Sequence, residues 1–332
     1  MLRLSLDSEV RRKVRSLAQL AGRIGDQPLS KEVDPHELHV GLNAFNRARL
    51  QPVLPSSEWD EELPFMRAAE LIEARFLEAE RAKTQAQVAR MPRDPDGFVE
   101  WFAELKESGP GQYDPFFDYL ADRADRSELK YFITQEFCGE IGFDDLVALT
   151  QVHFPERAKL EMARNFWDEQ GQGNREDIHG PLYVTMAHEM GVKDTPESEL
   201  TWETLAVANI LTGLACNRRY AWQSLGALSV LELTSPTRAS RVAKGLERVG
   251  ASPNACRYFQ LHSVVDVEHW KSWLAEVIIP LLAENPDLAA PLAEGALMRL
   301  NSGVQVIRRY REELNLEDRL SGPYVRAAKQ RM

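Results

Sequence analysis

The chain has 332 residues, of which 44% are hydrophobic and 27% are charged. This composition is typical of a globular protein and excludes a disordered or fibrous chain. Forty Lys and Arg against fifty-one Asp and Glu give a formal net charge of −11. No local basic stripe offsets that charge, so a nucleic-acid partner is not expected. No window approaches the roughly 18 to 20 uncharged apolar residues of a membrane-spanning helix, so no membrane partner is expected either.

The N-terminus and the cysteines indicate the compartment. The first residues, MLRLSLDSEVRRK, mix both charge signs with leucines and contain neither an apolar core nor a small-residue cleavage site. They do not look like a secretory signal, which predicts a cytoplasmic protein. Cys138, Cys216 and Cys256 are widely spaced in apolar helical runs and form no CxxC pair. We therefore expect free, buried thiols.

Helical periodicity dominates from the N-terminus onward. The stretch from 64 to 90 places apolar residues three and four apart with charges between them, as an amphipathic helix does. Residues 1–95 are comparatively polar, and their two histidines, His36 and His39, lie in the turn-like segment DPHELH. We predict an N-terminal helical accessory region over 1–95, used for packing or dimerisation, followed by a helical bundle over 96–332.

Turn-forming clusters divide the rest of the chain into about seven or eight predicted helices. These clusters of Gly, Pro and Asp lie at 90–97, 107–115, 169–174, 193–198, 234–237, 250–254 and 284–287. Strand signals are almost absent, apart from the ambiguous segment PLYVTM at 181–186. No internal repeat of solenoid length is present, so the prediction is a single all-α bundle.

The sharpest chemical pattern is the HxxxDxxH formed by His262, Asp266 and His269. At 100° per residue, Asp266 lies about 40° and His269 about 20° from the direction of His262, so one helical stripe carries all three. Two imidazoles and a carboxylate form half of a metal site of the type that suits iron, manganese or zinc. The alternative is a stripe of solvated surface residues.

Glu232 is a second signal, because it interrupts the apolar run SLGALSVLEL. We expect its helix to end shortly afterwards at Pro236. A lone buried carboxylate there costs several kcal/mol or becomes protonated unless a cation compensates. The alternative is a boundary glutamate that reaches solvent.

A third signal lies in NFWDEQGQGNREDIHGPLY, where Glu169 precedes His179 by ten residues and Glu176 precedes it by three. Gly171 and Gly173 are expected to break the helix between Glu169 and His179. Helical arithmetic therefore does not place those two on one face, whereas Glu176 and His179 share one. An isolated ExxH is weak, because a lone histidine is more often structural.

Glu136 and Glu140 form a fourth signal. They lie one turn apart on a largely apolar predicted helix, so either could supply a carboxylate, although a solvated face explains each equally well. Together the four segments supply seven acids and imidazoles, too many for one tetrahedral zinc and suited to two irons bridged by carboxylate. The ferritin-like pattern needs ExxH on two helices, and this chain offers one.

These residues resemble the haem-oxygenase-like diiron oxidases and oxygenases. The resemblance covers about residues 112–312 and is carried by NFWDEQGQG with His179, by the NRRY…LGALSVLELTSP run with Glu232, by the KGLERVG turn and by HSVVDVEHW. It implies a haem-oxygenase-like seven-helix bundle that holds two non-haem irons, with O2 as co-substrate. The ligands implied by position are Glu136, Glu169, His179, Glu232, His262, Asp266 and His269. Glu140 is an alternative to Glu136, and Glu176 is an alternative to Glu169.

The resemblance also implies an activity. Two Fe(II) ions would reductively activate O2 to oxidise a small carboxylate-bearing metabolite, with an amino acid favoured over a fatty acid. Desaturation, C–C cleavage, N-oxygenation, hydroxylation and decarboxylation all occur in such enzymes. An external electron donor and a homodimer remain open. By helical arithmetic, the residues that share the direction of Glu232 are expected to form the pocket wall, and these are Ala221, Leu225, Leu228 and Ser229.

Two other classes remain open. A metal-free enzyme on the same bundle, such as the cofactorless quinone-biosynthesis oxidases or the thiamine-degrading enzymes, would leave Asp266 and His269 without a role. A non-enzymatic helical binding or assembly protein would carry the acids and imidazoles on solvated faces. Metal content separates these readings from the diiron enzyme, since fold analogy alone does not fix function.

Overall fold

The computed structural model describes residues 7–24, 29, 33–55, 57, 59–140, 142–193 and 195–316, with only the backbone for residues 138–140. The side chains of Cys138 and Glu140 therefore lie outside the described residues. The described part is all-α, as predicted, and contains no strand. The segment PLYVTM, ambiguous in the sequence, lies in a helix.

Fourteen α-helices make up the described chain. They are α1 (Ser8–Ile24), α2 (Pro35–Leu50), α3 (Trp59–Val88), α4 (Pro95–Ser108), α5 (Pro115–Asp122), α6 (Arg126–Glu140), α7 (Phe143–Thr150), α8 (Glu156–Glu169), α9 (His179–Glu189), α10 (Trp202–Cys216), α11 (Ala221–Arg248), α12 (Pro253–Trp273), α13 (Ile279–Glu284) and α14 (Ala289–Glu313). A π-helical stretch, Leu274–Ile278, joins α12 to α13.

Three helices begin at an Asp-Pro pair, which explains why these turn clusters mark helix starts. The carboxylates of Asp34, Asp94 and Asp114 each accept a hydrogen bond from a backbone N–H of the first turn of α2, α4 and α5. The proline that follows has no N–H to satisfy and a φ already suited to a helix. Asp at the cap and Pro after it therefore start each helix from local sequence alone.

Helix α11 is the centre of the bundle, packed against α12 and α14 along its length and against α5, α4 and α10. Pro236 does not end it, contrary to the sequence prediction, and the cluster at 234–237 is helix interior. Proline cannot donate the hydrogen bond that would reach the carbonyl of Glu232, and its ring crowds that carbonyl. Packing on several sides outweighs that loss, so the helix continues to Arg248.

The approach of α11 to α14 depends on two glycines. A Cβ on Gly226 would overlap the backbone carbonyl of Leu292, and a Cβ on Gly295 would overlap that of Gln223. The two helices therefore cross backbone against backbone. This contact fixes how α11 is placed relative to its neighbours.

The N-terminal helices are built onto the same core. Helix α2 packs on α10, α3 packs on α14, and α1 covers both α2 and α3. One buried apolar cluster includes residues from Val10 of α1 to Leu300 of α14. Cys216 is half-buried and Cys256 is buried, and both are free thiols. Among the described helices, none is both long and apolar enough to span a bilayer.

Candidate metal centre

The centre lies where α8, α9, α11 and α12 meet. Glu169 is the last residue of α8, and His179 is the first of α9. Between them Gly171 and Gly173 adopt positive φ of 62° and 86°, and a Cβ on Gly171 would lie 2.7 Å from the backbone of Asp177. The predicted break at these glycines is thus present, and it turns Glu169 and His179 towards each other.

The first group of side chains comprises Glu169, His179 and His262, whose ligand atoms all lie within 4.8 Å of one another. Nδ1 of His179 is 2.5 Å from Oε2 of Glu169. The ring centroids of His179 and His262 are 4.5 Å apart. Three helices therefore bring two imidazoles and one carboxylate to a common point.

The second group comprises Glu232, Asp266 and His269, with its ligand atoms again within 4.8 Å of one another. Nδ1 of His269 lies 3.2 Å from Oε2 of Glu232 and 3.9 Å from Oδ1 of Asp266. The HxxxDxxH stripe of α12 is therefore divided between the two groups. Since His262 and Asp266 are one turn apart, the groups lie about 6 Å apart along the helix.

Hydrogen bonds from the surrounding residues orient both groups. Nδ1 of His262 donates to the carbonyl of Tyr258 at 2.8 Å, which leaves Nε2 with the lone pair. Asn165 donates to Oε1 of Glu232 at 3.1 Å, and the Ser235 hydroxyl donates to Asp266. Such outer contacts fix the tautomer and direction of metal ligands. The sequence carried no pattern that singled out Asn165, Tyr258 or Ser235.

Burial and neighbouring charges shift several pKa values in this centre. Burial raises the pKa of Asp266 to about 7, and the negative charge of Glu232 adds to the shift. Burial alone would lower the pKa of His269, but contact with Glu232 and the charge of Asp266 raise it to about 9. Burial likewise acts to raise the pKa of Glu169, but the adjacent His179 outweighs it and the pKa falls.

These residues fit a pair of metal ions. Glu169, Glu232 and Asp266 are each 4% exposed, so their charges are costly without a cation. Nδ1 of His179 makes no hydrogen bond to any described residue although a carboxylate oxygen is adjacent. An imidazole nitrogen and a carboxylate oxygen this close together can both bind one metal ion. Mixed imidazole and carboxylate donors suit iron or manganese.

The two other predicted carboxylates lie elsewhere. Glu136, on α6, accepts a hydrogen bond from the Tyr310 hydroxyl at 2.7 Å and belongs to neither group. Thr204 shares a 2.8 Å hydrogen bond with that hydroxyl. Glu176 is exposed in a short 3-10 turn before α9. Because no helix joins Glu176 to His179, the ExxH spacing does not bring the pair together.

A cavity of about 160 Å³ opens beside the centre. Glu169, Glu232, His262 and Asp266 line one side of it, and Glu136 lines another part. The rest of the wall is mostly aromatic and aliphatic, and it includes Phe116, Phe117, Phe132, Val242, Val306 and Ile307. The site therefore combines a polar centre with an apolar chamber.

The four residues predicted for the pocket wall do not line this cavity. Ala221, Leu225, Leu228 and Ser229 are buried in the N-terminal half of α11. The hydroxyl of Ser229 donates to the carbonyl of Leu225. The part of the wall that α11 supplies begins at Leu231 and includes Glu232, Ser235, Arg238, Ala239 and Val242. Helical arithmetic gives the direction of a side chain but not which way along the helix the space opens, and this prediction failed for that reason.

The described part of the chain is thus an all-α bundle that encloses two adjacent groups of carboxylates and imidazoles. Residues 130–304, just over half of the chain, match the family of iron-containing redox enzymes. The chain belongs to that family, as the sequence resemblance predicted.

Comparison with solved structures agrees on the fold. The chain is similar to a CADD-like protein of unknown function from Nostoc punctiforme, with a TM-score of 0.54 and 16% identity. The alignment covers 66% of this chain and 97% of that one. At this identity the similarity shows the fold alone. No curated protein sequence matches the chain.

Proposed function

We propose that the protein is an O2-dependent non-haem diiron oxidase or oxygenase of a small carboxylate-bearing metabolite. One observation carries the proposal: two three-residue groups of carboxylates and imidazoles lie next to each other and face one apolar cavity, and all but the half-buried His262 are buried. Membership of an iron-containing redox family supports iron as the metal. The two groups support a count of two.

In this proposal Glu169, His179 and His262 hold one iron. Glu232, Asp266 and His269 hold the other. Glu136 is proposed as a further carboxylate ligand, because it lines the same cavity as the two groups. The hydrogen bond from the Tyr310 hydroxyl would then orient the Glu136 carboxylate.

When bound, the two irons would provide the coordination sites for O2 and pass electrons to it. The protein's residues do the rest. The aromatic and aliphatic wall excludes water and holds the substrate next to the centre. Asn165, Tyr258 and Ser235 hold the ligating atoms in place, so little reorganisation is needed during the reaction.

The electron count defines the partners. Complete reduction of O2 to water takes four electrons, and a two-electron oxidation of the substrate provides two of them. We therefore propose an external electron donor for the other two. Desaturation, C–C cleavage, N-oxygenation and hydroxylation are all compatible with this balance.

An amino acid is the favoured substrate class, and the protein is proposed to act in specialised metabolism in the cytoplasm. A homodimer is also proposed.

The test is anaerobic reconstitution with Fe(II), followed by an iron count and then O2 addition. We expect close to two irons per chain, and close to one after His179→Ala or Asp266→Ala. His188→Ala is the matched control, because His188 is exposed on the same helix as His179. We also expect O2 consumption that depends on added carboxylate substrate. Failure of the native chain to retain iron would favour the metal-free enzyme instead.

A further inference from the structure

A half-buried arginine lies in the cavity wall beyond the metal centre. Arg238 follows Glu232 by six residues on α11 and lines the same cavity. Its Nη2 atom is buried and makes no hydrogen bond to any described residue. The guanidinium lies over the ring of Phe117, 5.4 Å from its centroid. A second arginine, Arg299 of α14, lines the cavity as well.

The two acids near Arg238 each interact with another residue. Asp114 caps α5 and forms an ion pair with Arg311 at 3.2 Å. Glu136 accepts a hydrogen bond from the Tyr310 hydroxyl. Burial and the positive charge of Arg299 lower the pKa of Arg238 to about 10, although Glu136 and Asp114 oppose the shift. A guanidinium with that pKa keeps its charge at neutral pH, and its environment leaves that charge incompletely balanced.

A buried polar group without a partner is costly, and such groups in native proteins call for an explanation. A ligand that brings a negative charge into the cavity would balance the charge of the Arg238 guanidinium. A carboxylate is the best match, because a guanidinium can offer it two parallel N–H donors. Arg299 would add positive potential at the same end of the cavity.

We infer that Arg238 binds the carboxylate of the substrate and holds the substrate's apolar body along the cavity wall towards the metal centre. This inference rests on the proposed function and deepens it. The axial rise from Glu232 to Arg238 is about 9 Å. The carboxylate and the oxidised atom therefore lie at opposite ends of the substrate. The cavity lining, which includes Phe132, Val242 and Val306, fits an aliphatic or aromatic body.

The test measures binding without turnover. The full chain, loaded anaerobically with Fe(II), is titrated by calorimetry with decanoate and with L-phenylalanine, and with the primary amide of each. These two carboxylates distinguish a fatty acid from an amino acid. We expect at least one carboxylate to bind tenfold or more tightly than its amide. Arg238→Gln should abolish that preference while leaving amide binding unchanged.

Arg241→Gln is the matched control, because Arg241 lies one turn further along α11 and pairs with Asp118 at the surface. It should keep the full preference. Arg238→Lys keeps the charge but not the paired donors, so it should keep part of the preference for carboxylate over amide. This variant replaces Arg238→Gln in the test if Arg238→Gln does not fold. The melting temperature of unliganded Arg238→Gln should rise above that of the native chain, since a structural arginine would give the opposite sign.

Equal binding of carboxylate and amide by the native chain, no binding of either carboxylate, or an unchanged preference in Arg238→Gln would each overturn the inference. The iron count is read on the same samples. Carboxylate preference in a chain that retains no iron would keep the Arg238 site and remove the diiron proposal. A chain that retains two irons but shows no carboxylate preference would keep the diiron proposal and remove the Arg238 site.

Discussion

Nε2 of His269 lies 3.2 Å from Oδ2 of Asp168, while Nδ1 of the same ring lies 3.2 Å from Oε2 of Glu232. One imidazole thus joins a carboxylate of the proposed metal centre to a carboxylate outside it. Asp168 is half-buried and directly precedes Glu169. Carboxylate–histidine pairs of this kind orient ligating imidazoles and increase their basicity.

Asp168→Asn should therefore weaken iron binding while leaving the fold intact. We expect a loss of affinity of about 10- to 100-fold, at the iron held by His269 more than at the other. A competition titration against a calibrated Fe(II) chelator measures it. Gln172→Asn is the control, because Gln172 donates to the other oxygen of Asp168 at 2.7 Å. Equal iron affinities for Asp168→Asn and the native chain would contradict this role.

Removal of the metal should loosen α12 before the rest of the bundle. This helix carries all three residues of the HxxxDxxH pattern, and it also includes Val264, Val265 and Val267, which are weak helix formers. Free Fe(II) at 100 times its dissociation constant should stabilise the native chain by about 2.7 kcal/mol. Amide exchange across 260–270 should slow on Fe(II) addition and recover with a chelator. Identical exchange with and without Fe(II) would show that the helix is formed independently of metal.

The glycine crossing of α11 and α14 should be intolerant of a single methyl group. Gly226→Ala or Gly295→Ala would place Cβ against backbone carbonyl atoms of the partner helix. We expect each to lower the free energy of unfolding by about 3 kcal/mol. Gly22→Ala is the control, because no described residue outside the local turns of α1 comes within 4 Å of its Cβ position. It should stabilise by about 0.5 to 1 kcal/mol. Urea denaturation of the three variants makes the comparison.

Acid should destabilise the fold through His39. Burial lowers the pKa of this histidine to about 3 from 6.5, so the unfolded chain binds a proton at pH values where the folded chain does not. The contribution of the neutral His39 to the free energy of unfolding is complete above pH 6.5 and is lost as the pH falls towards 3. It amounts to about 2 kcal/mol between pH 6.5 and pH 5.

Replacement of that histidine isolates its share. His39 stacks on Trp202 and meets the edge of Phe76, away from the metal centre. The fall in unfolding free energy between pH 6.5 and pH 5 should be about 2 kcal/mol smaller in His39→Gln than in the native chain. His188→Gln, at an exposed position, should keep the native pH dependence. Parallel pH profiles for His39→Gln and the native chain would refute this account.

The sequence by itself determined the all-α class and the residues from which the centre is built. Helical periodicity and Asp-Pro starts are local properties, since they depend on residues within a few positions of each other. The HxxxDxxH stripe, the buried Glu232 and the break between Glu169 and His179 were all readable for the same reason. Six of the seven predicted ligands come together in the two groups.

The tertiary structure decided what depends on how helices are placed relative to each other. The division of the stripe between two groups, the pairing of Glu136 with Tyr310 and the direction in which the cavity opens all follow from contacts between helices. Packing between helices also allows α11 to continue past Pro236, whereas local propensity alone would end the helix there. Arg238 had no signal in the sequence, because an arginine is recognised as unpaired only when its surroundings are known.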